Sequence, residues 1–315
     1  MNLDSDLARV SAATLAAGLK KKSFSAVELC DASIARIEAL DPQINAVVVR
    51  DFERARAEAR MADNLIARGE LKPLLGIPMT VKESYDLRGN PTTWGFPEHF
   101  EYRAREDALA VQRLKAAGAV VLGKTNVPPA LGDWQSANPI YGRTNNPHDV
   151  TRSPGGSSGG CAAAIAMGFS ALEMGSDIGG SIRVPAAFCG VYGHKTSHGV
   201  IPMGGHTYGG VQVAPQLLSV LGPLARSAAD LATALDVVAG PDAESPANKL
   251  ILPRARHGRL ASFRVFVLDE HPAARAGADI RSAIEKLADR LTREGASVAR
   301  QSSLLPDLSV SWKTY

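Results

Sequence analysis

Apolar residues in the first third of the chain recur with the period of a helix. Ser25 and Glu28 have the spacing of a capping box, in which each side chain bonds a backbone N–H of the other residue. The apolar positions that follow are Leu29, Ile34, Ile37 and Leu40. We expect this helix to stop at Asp41-Pro42 and a charge-rich helix to span residues 52–69. Residues 1–70 are therefore predicted to form an N-terminal helical segment.

From residue 71 onward, short apolar runs alternate with helical stretches. Strands are predicted over residues 74–81, 119–122, 170–174 and 265–268, and helices over 108–117, 227–238 and 278–294. This alternation favours a layered α/β fold. We interpret residues 71–240 as the catalytic core and residues 241–315 as the start of a C-terminal part. A stretch rich in Pro and Arg at 240–257 is the candidate linker between them.

Composition and charge narrow the class of protein. The chain has 315 residues, of which 45% are hydrophobic and 21% charged, a balance typical of globular domains. Collagen, coiled coils, disordered tails and disulfide scaffolds are excluded. The net charge is +3, and the longest basic run, Lys20 to Lys22, is interpreted as a solvated face, so no nucleic-acid partner is expected.

Cysteine usage and the N-terminus indicate a cytoplasmic protein. The three cysteines, Cys30, Cys161 and Cys189, lie far apart and form no metal-ligand spacing, so we expect a reduced environment and neither metal nor organic cofactor. The first residues lack the layout of a signal peptide. No apolar run reaches the roughly 20 residues that span a bilayer, so no membrane association is expected.

Two motif matches are interpreted as accidental. Residues 118–125 fit the phosphate-binding pattern GxxxxGK[ST], but their middle residues are apolar and follow a helix, whereas the motif requires a loop between a strand and a helix. Residues 155–159 fit the pattern GxSxG, but a polar loop precedes them where a nucleophile elbow requires a strand. We therefore predict neither a nucleotide site nor an α/β-hydrolase elbow.

Three other segments carry candidate chemistry. Lys82 ends an apolar run, where it either extends to solvent or, if held near the core, acts as a base at neutral pH. Ser157 lies in a glycine-rich loop that opens an alanine-rich helix, whose N-terminus offers N–H groups. Gly179 and Gly180 precede Ser181, an order that suits an oxyanion pocket beside a nucleophile, although an ordinary turn has the same composition.

Taken together, these segments resemble the signature of the amidase signature family of serine hydrolases. The resemblance rests on residues 154–160, 175–183 and 185–190 and on the lysine segment at 76–83. The three candidates are separated by 157 − 82 = 75 and 181 − 157 = 24 residues, spacings similar to those of the family. The resemblance to this family implies a mixed β-sheet core covered by helices on both faces.

The resemblance implies roles for individual residues. Ser181 would be the nucleophile that attacks an amide carbonyl, and Lys82, neutral at rest, would be the ultimate base. Ser157, by likeness a serine after a cis peptide bond, would relay the proton between them. The backbone N–H groups expected to hold the oxyanion are those of Ile178, Gly179, Gly180 and Ser181. The residues expected to brace these loops are Asp177, Arg183 and Ser158.

This chain is shorter than the members of the family generally are. Family members generally continue for well over a hundred further residues, so residues 1–315 are interpreted as a single amidase-signature domain whose C-terminal part is missing. The main expectation is a stand-alone amidase that cleaves a small or aryl carboxamide to a carboxylic acid and ammonia or an amine, with possible homo-oligomers. An inactive truncated product and a glutamine-hydrolysing subunit of an amidotransferase remain alternatives. Trp94, Phe96, Trp134 and Tyr141 are either walls of a substrate pocket or core residues.

Overall fold

The fold is known from a computed structural model that describes residues 7–208, 217–241, 253 and 255–314. The chain divides into two compact units, Met1–Ile251 and Leu252–Tyr315. Most of the candidate linker at 240–257 lies outside the described residues.

Seven α-helices are described in the first unit. They are α1 (Ala12–Lys20), α2 (Ala26–Ile44), α3 (Phe52–Ala67), α4 (Leu109–Ala116), α5 (Gly159–Met167), α6 (Arg183–Cys189) and α7 (Ala228–Val238). Short 3₁₀ turns lie at Pro97–His99 and Pro129–Leu131. The predicted helices at 52–69, 108–117 and 227–238 are confirmed, with boundaries that differ by at most two residues.

A mixed six-stranded sheet forms the centre of this unit. Its strands are β1 (Val47–Arg50), β2 (Pro78–Lys82), β3 (Val120–Thr125), β6 (Leu172–Asp177), β7 (Tyr192–Gly193) and β8 (Val220–Ala225), and a separate hairpin joins β4 (Ala137–Asn138) to β5 (Gly142–Arg143). The order across the sheet is β1-β3-β2-β6-β8-β7. The central strands β3, β2 and β6 are parallel, whereas β1, β8 and β7 pair antiparallel. The expected mixed α/β fold is confirmed.

Helices cover the sheet and bury its strands. A large apolar cluster joins α1 to α4 and α7 to side chains such as Met79, Val81 and Met174. A smaller cluster joins α5 and α6 to Leu224 of β8. All five residues of β2 and all six of β6 are buried, as expected for parallel strands with both faces covered.

The N-terminal end of α2 agrees with the prediction, but its C-terminal end does not. Ser25 and Glu28 form the capping box. The helix continues through Pro42 to Ile44, so the expected stop at Asp41-Pro42 is wrong. Proline in the last turn sacrifices one helical hydrogen bond, and the Asp41 carboxylate accepts the N–H of Ala46 where the chain leaves the helix.

The segment at 118–125 has the structure that its apolar residues predict. Helix α4 ends at Ala116, Gly118 takes a positive φ of 96°, and β3 follows. Gly123, Lys124 and Thr125 lie within the buried strand. The phosphate-loop match is therefore accidental.

The second unit contains a small parallel strand pair. Strands β9 (Arg264–Phe266) and β12 (Ser297–Ala299) pair in parallel and are connected through α8 (Ala278–Arg293). A hairpin of β10 (Glu270–His271) and β11 (Ala274–Arg275) and a helix α9 (Leu308–Thr314) complete its described elements. In the described parts of both units, no helix is long and apolar enough to cross a membrane.

Candidate active site

The candidate residues meet at one edge of the sheet. Lys82 is the last residue of β2, and Asp177 is the last residue of β6. Because β2 and β6 are parallel neighbours, their carboxyl ends lie at the same edge. Ser157 stands two residues before α5, which packs on these strands. The topology therefore brings together three segments that are far apart in sequence.

Lys82 is fully buried and is held by two hydroxyl groups. Its Nζ lies 2.7 Å from Ser157 Oγ and 2.9 Å from Ser176 Oγ. The carbonyl oxygen of Ser176 lies 3.5 Å from the same nitrogen. The two hydroxyl oxygens fix the position of the amine, and no ion pair joins it to any described residue.

Burial changes the protonation of this lysine. Desolvation lowers the pKa of Lys82 from 10.5 to about 7, against a smaller opposing effect of the Asp177 charge. A buried ammonium loses its hydration, so the neutral amine gains relative stability. Near neutral pH, much of the Lys82 population is therefore unprotonated and able to accept a proton.

Ser157 and Ser158 connect Lys82 to the loop of Ser181. The peptide bond between Gly156 and Ser157 is cis. The N–H of Ser158 donates to the carbonyl of Ser181 over 3.1 Å, and the Ser158 hydroxyl lies 3.3 Å from the carbonyl of Ser176. The hydrogen bonds of Ser158 therefore hold the loop of Ser181 against the end of β6.

Ser181 itself carries a free hydroxyl. The residue is 5% exposed, and no side chain or backbone group in the described part of the chain bonds its Oγ. The carbonyl of Ser181 accepts the N–H of Ser158, the residue that follows Ser157, and no hydrogen bond joins Ser181 to Ser157 among the described residues. The hydroxyl is thus unoccupied by other protein groups.

Asp177 and Arg183 brace the turn that contains Ser181. The Arg183 guanidinium bonds both carboxylate oxygens, with Nε at 3.0 Å and Nη2 at 2.9 Å. The same carboxylate accepts the N–H groups of Gly180 and Ile182. Burial by itself raises the pKa of Asp177, but the bonds from Arg183 and the backbone outweigh it and lower the pKa to about 2. Asp177 is therefore ionised and closes the turn.

The four N–H groups expected at an oxyanion pocket do not all have the same environment. Gly180 donates its N–H to Asp177 Oδ1 over 2.9 Å, so this donor is already used within the turn. Within the described ranges, no acceptor bonds the N–H groups of Ile178, Gly179 or Ser181. Gly180 departs from the expectation because the Asp177 carboxylate lies inside the turn and accepts hydrogen bonds from the backbone N–H groups there.

Sequence reasoning missed Ser176. The Ser176 hydroxyl is nearly as close to the Lys82 amine as the Ser157 hydroxyl is. Ser176 lies in a strand, and the alternation of side chains along a strand does not by itself indicate a contact with Lys82. Its position directly before Asp177 within the motif was the available signal.

Other features lie away from this site. A surface pocket of about 680 Å³ opens beside Asp86 and Gly205, and its lining includes none of Lys82, Ser157 and Ser181. No group of three or more His, Cys, Asp or Glu residues suited to a metal ion exists in the described part of the chain.

The mixed α/β fold of this chain matches that of solved amidase-signature enzymes. A family profile described as Amidase matches residues 28–315. The chain belongs to the amidase family.

Individual relatives agree with this assignment. The chain is 44% identical to AtzE of Pseudomonas sp. strain ADP, a subunit of 1-carboxybiuret hydrolase, over 84% of this chain and 59% of that protein. It is 39% identical to a glutamyl-tRNA(Gln) amidotransferase subunit from Roseiflexus castenholzii, over 90% of this chain and 58% of that protein. A solved bacterial aryl acylamidase superposes with a TM-score of 0.85 at 28% identity, over 97% of this chain and 63% of that one. The chain thus spans less than two thirds of the length of each of these relatives.

Proposed function

We propose that the protein hydrolyses a carboxamide through an acyl-enzyme on Ser181. The observation that carries this proposal is the buried contact of 2.7 Å between Lys82 Nζ and Ser157 Oγ, beside a serine with a free hydroxyl. A neutral amine that bonds a relaying hydroxyl is a variant of the base-activated nucleophile.

The reaction proceeds in two stages in this proposal. Ser181 Oγ bonds the carbonyl carbon as its proton passes to Ser157 Oγ and the Ser157 proton passes to Lys82 Nζ. The C–N bond then breaks, and the proton returns through Ser157 to the leaving nitrogen, which departs as ammonia or an amine. In the second stage water attacks the acyl-enzyme, the same relay takes its proton, and the carboxylic acid leaves as Ser181 is regenerated.

The developing oxyanion requires donors that are not otherwise bonded. We assign this role to the N–H groups of Ile178, Gly179 and Ser181, and Gly180 contributes only if its bond to Asp177 opens. Preorganised backbone donors of this kind stabilise the transition state, and loss of one costs about 10²-fold in rate.

Reaction of the chain with a fluorophosphonate, followed by peptide mapping, tests the proposal without knowledge of the substrate. We expect one adduct on Ser181, lost in Ser181→Ala and strongly reduced in Lys82→Ala. Lys20→Ala, on an exposed helix end, is the matched control and labels like the parent chain. Absence of an adduct on a chain that is folded by circular dichroism contradicts the proposal and supports a non-catalytic product.

A second candidate is a glutamine-hydrolysing subunit that passes ammonia to a partner. The similarity to an amidotransferase subunit over 90% of this chain favours it. Glutamine as the sole good substrate, together with a co-purifying partner protein, supports this candidate. Rapid hydrolysis of simple carboxamides without a partner supports the stand-alone amidase.

We also propose a setting for the whole protein. Residues 71–240 carry the catalytic core of one amidase-signature domain, and residues 241–315 begin its C-terminal part. The protein works in the cytoplasm on a small-molecule amide, without cofactor, nucleic acid or membrane, and can form homo-oligomers. The described cysteines Cys30, Cys161 and Cys189 are buried and free, which supports a reducing compartment. Fractionation and light scattering test location and oligomeric state.

A further inference from the structure

Glu83 and Lys124 are two fully buried charged side chains that the proposed reaction does not use. Lys124 is the last residue but one of β3, and Glu83 directly follows Lys82, the last residue of β2. Because β2 and β3 are parallel neighbours, both residues lie at the edge of the sheet that carries Lys82. Charged groups in such a place need partners, since an unpaired buried charge is costly.

The partners of Glu83 are backbone N–H groups of a single loop, residues 91–96, which we call the Trp94 loop. One carboxylate oxygen accepts the N–H of Thr93 over 2.7 Å, and the other accepts the N–H of Trp94 over 3.0 Å. Hydrogen bonds to a charged acceptor are among the stronger ones in proteins. Glu83 therefore fixes the backbone of two successive residues of the loop.

Lys124 holds the two preceding residues of the same loop. Its Nζ donates to the carbonyl of Pro91 and, over 2.9 Å, to the hydroxyl of Thr92. Burial raises the pKa of Glu83 and lowers the pKa of Lys124, and the charge of each residue opposes the shift of the other. The Asp86 carboxyl adds a further negative charge near Lys124. The two buried side chains together therefore fix residues 91–94.

The contacts of the loop backbone set the conformation of Trp94. Its φ is 51°, in the left-handed region that a bulky residue adopts only where its surroundings impose it. The next residue, Gly95, has a φ of 78°, and a methyl group added to it would lie 2.9 Å from the backbone nitrogen of Pro129. The carbonyl of Trp94 accepts the N–H of Ala130 over 3.0 Å. The direction of the indole thus depends on how the loop is held.

The aromatic side chains of the Trp94 loop form a cluster of their own. The Trp94 ring lies 5.2 Å from that of His206 and 6.0 Å from that of Tyr208. The Phe96 ring lies 5.2 Å from the Tyr208 ring. Neither apolar core cluster of the described residues includes Trp94 or Phe96, and both side chains are half-buried. These aromatic residues therefore form a partly exposed surface outside the core, which suits contact with an apolar ligand.

His206 connects this aromatic cluster to the lysine of the proposed relay. Its ring lies 4.8 Å from that of Tyr85, whose hydroxyl donates to the carbonyl of Gly175 over 2.7 Å. Gly175 directly precedes Ser176, which contacts the Lys82 amine. Burial lowers the pKa of His206, and the positive charge of Lys82 lowers it further. The aromatic cluster therefore lies near Lys82.

A second segment connects the Trp94 loop to the turn that contains Ser181. Residues 129–131 pack against Gly95 and lead along the chain to Trp134. A methyl group placed on Gly180 would lie 3.6 Å from the Trp134 indole Nε1. The Trp94 loop and the turn of Ser181 therefore border the same segment from its two ends.

We propose that Glu83 and Lys124 are positioning residues that hold Trp94 as a wall of the substrate site, and that this wall binds the flat apolar acyl group of an aryl carboxamide. The two charged side chains act only through the Trp94 loop and touch no reacting atom. Their loss therefore weakens the binding of flat apolar groups more than it slows the reaction of Ser181. The role of Trp94 in substrate binding rests on the proposed function, whereas the fixing of the loop by Glu83 and Lys124 does not.

Labelling of Ser181 by two fluorophosphonates, one with a benzyl group and one with an ethyl group, tests the wall. Saturation of the labelling rate gives a binding constant, KI, and a reaction rate constant, kinact, for each probe. In Trp94→Ala we expect the KI of the benzyl probe to rise about tenfold, while its kinact and both constants of the ethyl probe change by less than about twofold. Trp312→Ala, which removes an exposed tryptophan of the second unit, is the matched control and keeps all four constants. An unchanged KI of the benzyl probe in Trp94→Ala, or a kinact that falls equally with both probes, overturns the proposed wall.

Two variants of the support test the positioning role, and one of them changes no charge. Thr92→Val removes only the hydroxyl that accepts from Lys124, so the KI of the benzyl probe should rise about threefold. In Glu83→Gln the loop loses one acceptor oxygen and Lys124 loses a neighbouring negative charge, so the rise should be larger. Glu98→Gln, on an exposed turn, is the matched control and keeps the KI of the parent chain. An unchanged KI in either variant, where circular dichroism shows that it is folded, contradicts the positioning role.

Acrylamide quenching of Trp94 fluorescence separates this inference from the proposed function. The chain has three tryptophans, so Trp134→Phe with Trp312→Phe leaves Trp94 as the only one. In this background Thr92→Val should raise the quenching constant about twofold, because a loosened loop exposes the indole, whereas Glu98→Gln should leave it unchanged. If Ser181 does not label but quenching rises in Thr92→Val, the proposed function fails and the fixing of the loop stands. If quenching does not change, the fixing of Trp94 is wrong whatever the labelling shows.

Discussion

Lys82 Nζ donates to the hydroxyl of Ser176 over 2.9 Å, although the two residues lie at the ends of neighbouring strands and are 94 positions apart in sequence. The hydroxyl of Ser157, in the loop before α5, contacts the same nitrogen. The amine is therefore fixed between two hydroxyl groups, and only one of them belongs to the proposed proton relay. Ser176 is the support that keeps the amine directed at Ser157.

Replacement of Ser176 tests this support. In Ser176→Ala the amine retains only Ser157 and a carbonyl at 3.5 Å, so we expect the fluorophosphonate labelling rate of Ser181 to fall about tenfold, the equivalent of one hydrogen bond. The measurement is the second-order labelling rate at fixed pH.

Ser170→Ala is the control for this substitution. The Ser170 hydroxyl is buried, and the described residues provide it with no partner, so its removal should leave labelling unchanged. Equal rates in Ser176→Ala and the parent chain would mean that Ser157 alone positions the amine.

Burial of Lys82 should make the stability of the fold depend on pH. The folded pKa is about 7, against 10.5 for an ordinary lysine. Between these values the unfolded chain binds a proton that the folded chain lacks, so the free energy of unfolding rises with pH and falls toward pH 7. Lys82→Met removes the titrating amine. The free energy of unfolding of Lys82→Met, relative to that of the parent, should therefore be several kcal/mol larger at pH 7 than at pH 10. Urea unfolding at both pH values measures it, and an advantage that does not change with pH would contradict a buried neutral lysine.

The bidentate pair of Arg183 and Asp177 predicts a pH dependence in the same direction, with stability that rises with pH, but in the acidic range. The folded pKa of Asp177 is about 2, below its usual 3.8, so its ionised form contributes stability above pH 4 that is lost as the pH falls toward 2. Arg183→Ala removes two hydrogen bonds to a charged group, and we expect a loss of about 2 kcal/mol at pH 7. The difference from the parent should shrink at pH 3.

Two further variants show whether geometry or charge matters at this pair. Arg183→Lys keeps the charge but not the planar fork, so it should fall between Arg183→Ala and the parent. Arg152→Ala removes an exposed pair with Asp149 and should change stability by less than about 1 kcal/mol. A loss in Arg152→Ala as large as that in Arg183→Ala would show that burial of the carboxylate is not the cause.

The sequence anticipated local structure better than contacts between segments. The capping box at Ser25 follows from neighbouring residues, and so does the helix–turn–strand at residues 108–125. Contact between Ser176 and Lys82 depends on which strands pair, and no local pattern reports that. The continuation of α2 past Pro42 depends on the Asp41 carboxylate, which offers the emerging backbone an acceptor.

In the candidate site too, local features were predicted from the sequence, whereas contacts between distant segments were not. The motif indicated the residue types that surround Ser181, and the structure brings Lys82 and Ser157 into contact. The N–H of Gly180 points inward because the Asp177 carboxylate, placed by the fold, competes for it. The environment of Glu83 was also inaccessible from the sequence, since full burial of a glutamate depends on the loop that packs over it.

Trp134 lies beside the proposed oxyanion turn and should influence which amides are cleaved. Its side chain is 56% exposed. A methyl group placed on Gly180 would lie 3.6 Å from the indole Nε1, so the ring borders the turn. An exposed indole offers a planar apolar surface to an aromatic acyl group. Trp134→Ala should therefore lower kcat/KM for benzamide about tenfold and change that for propionamide less, whereas Trp134→Phe should retain most of the preference. Fluorophosphonate labelling of Ser181 in each variant shows whether the catalytic groups are intact, and equal losses for both amides would assign Trp134 to the support of the loop.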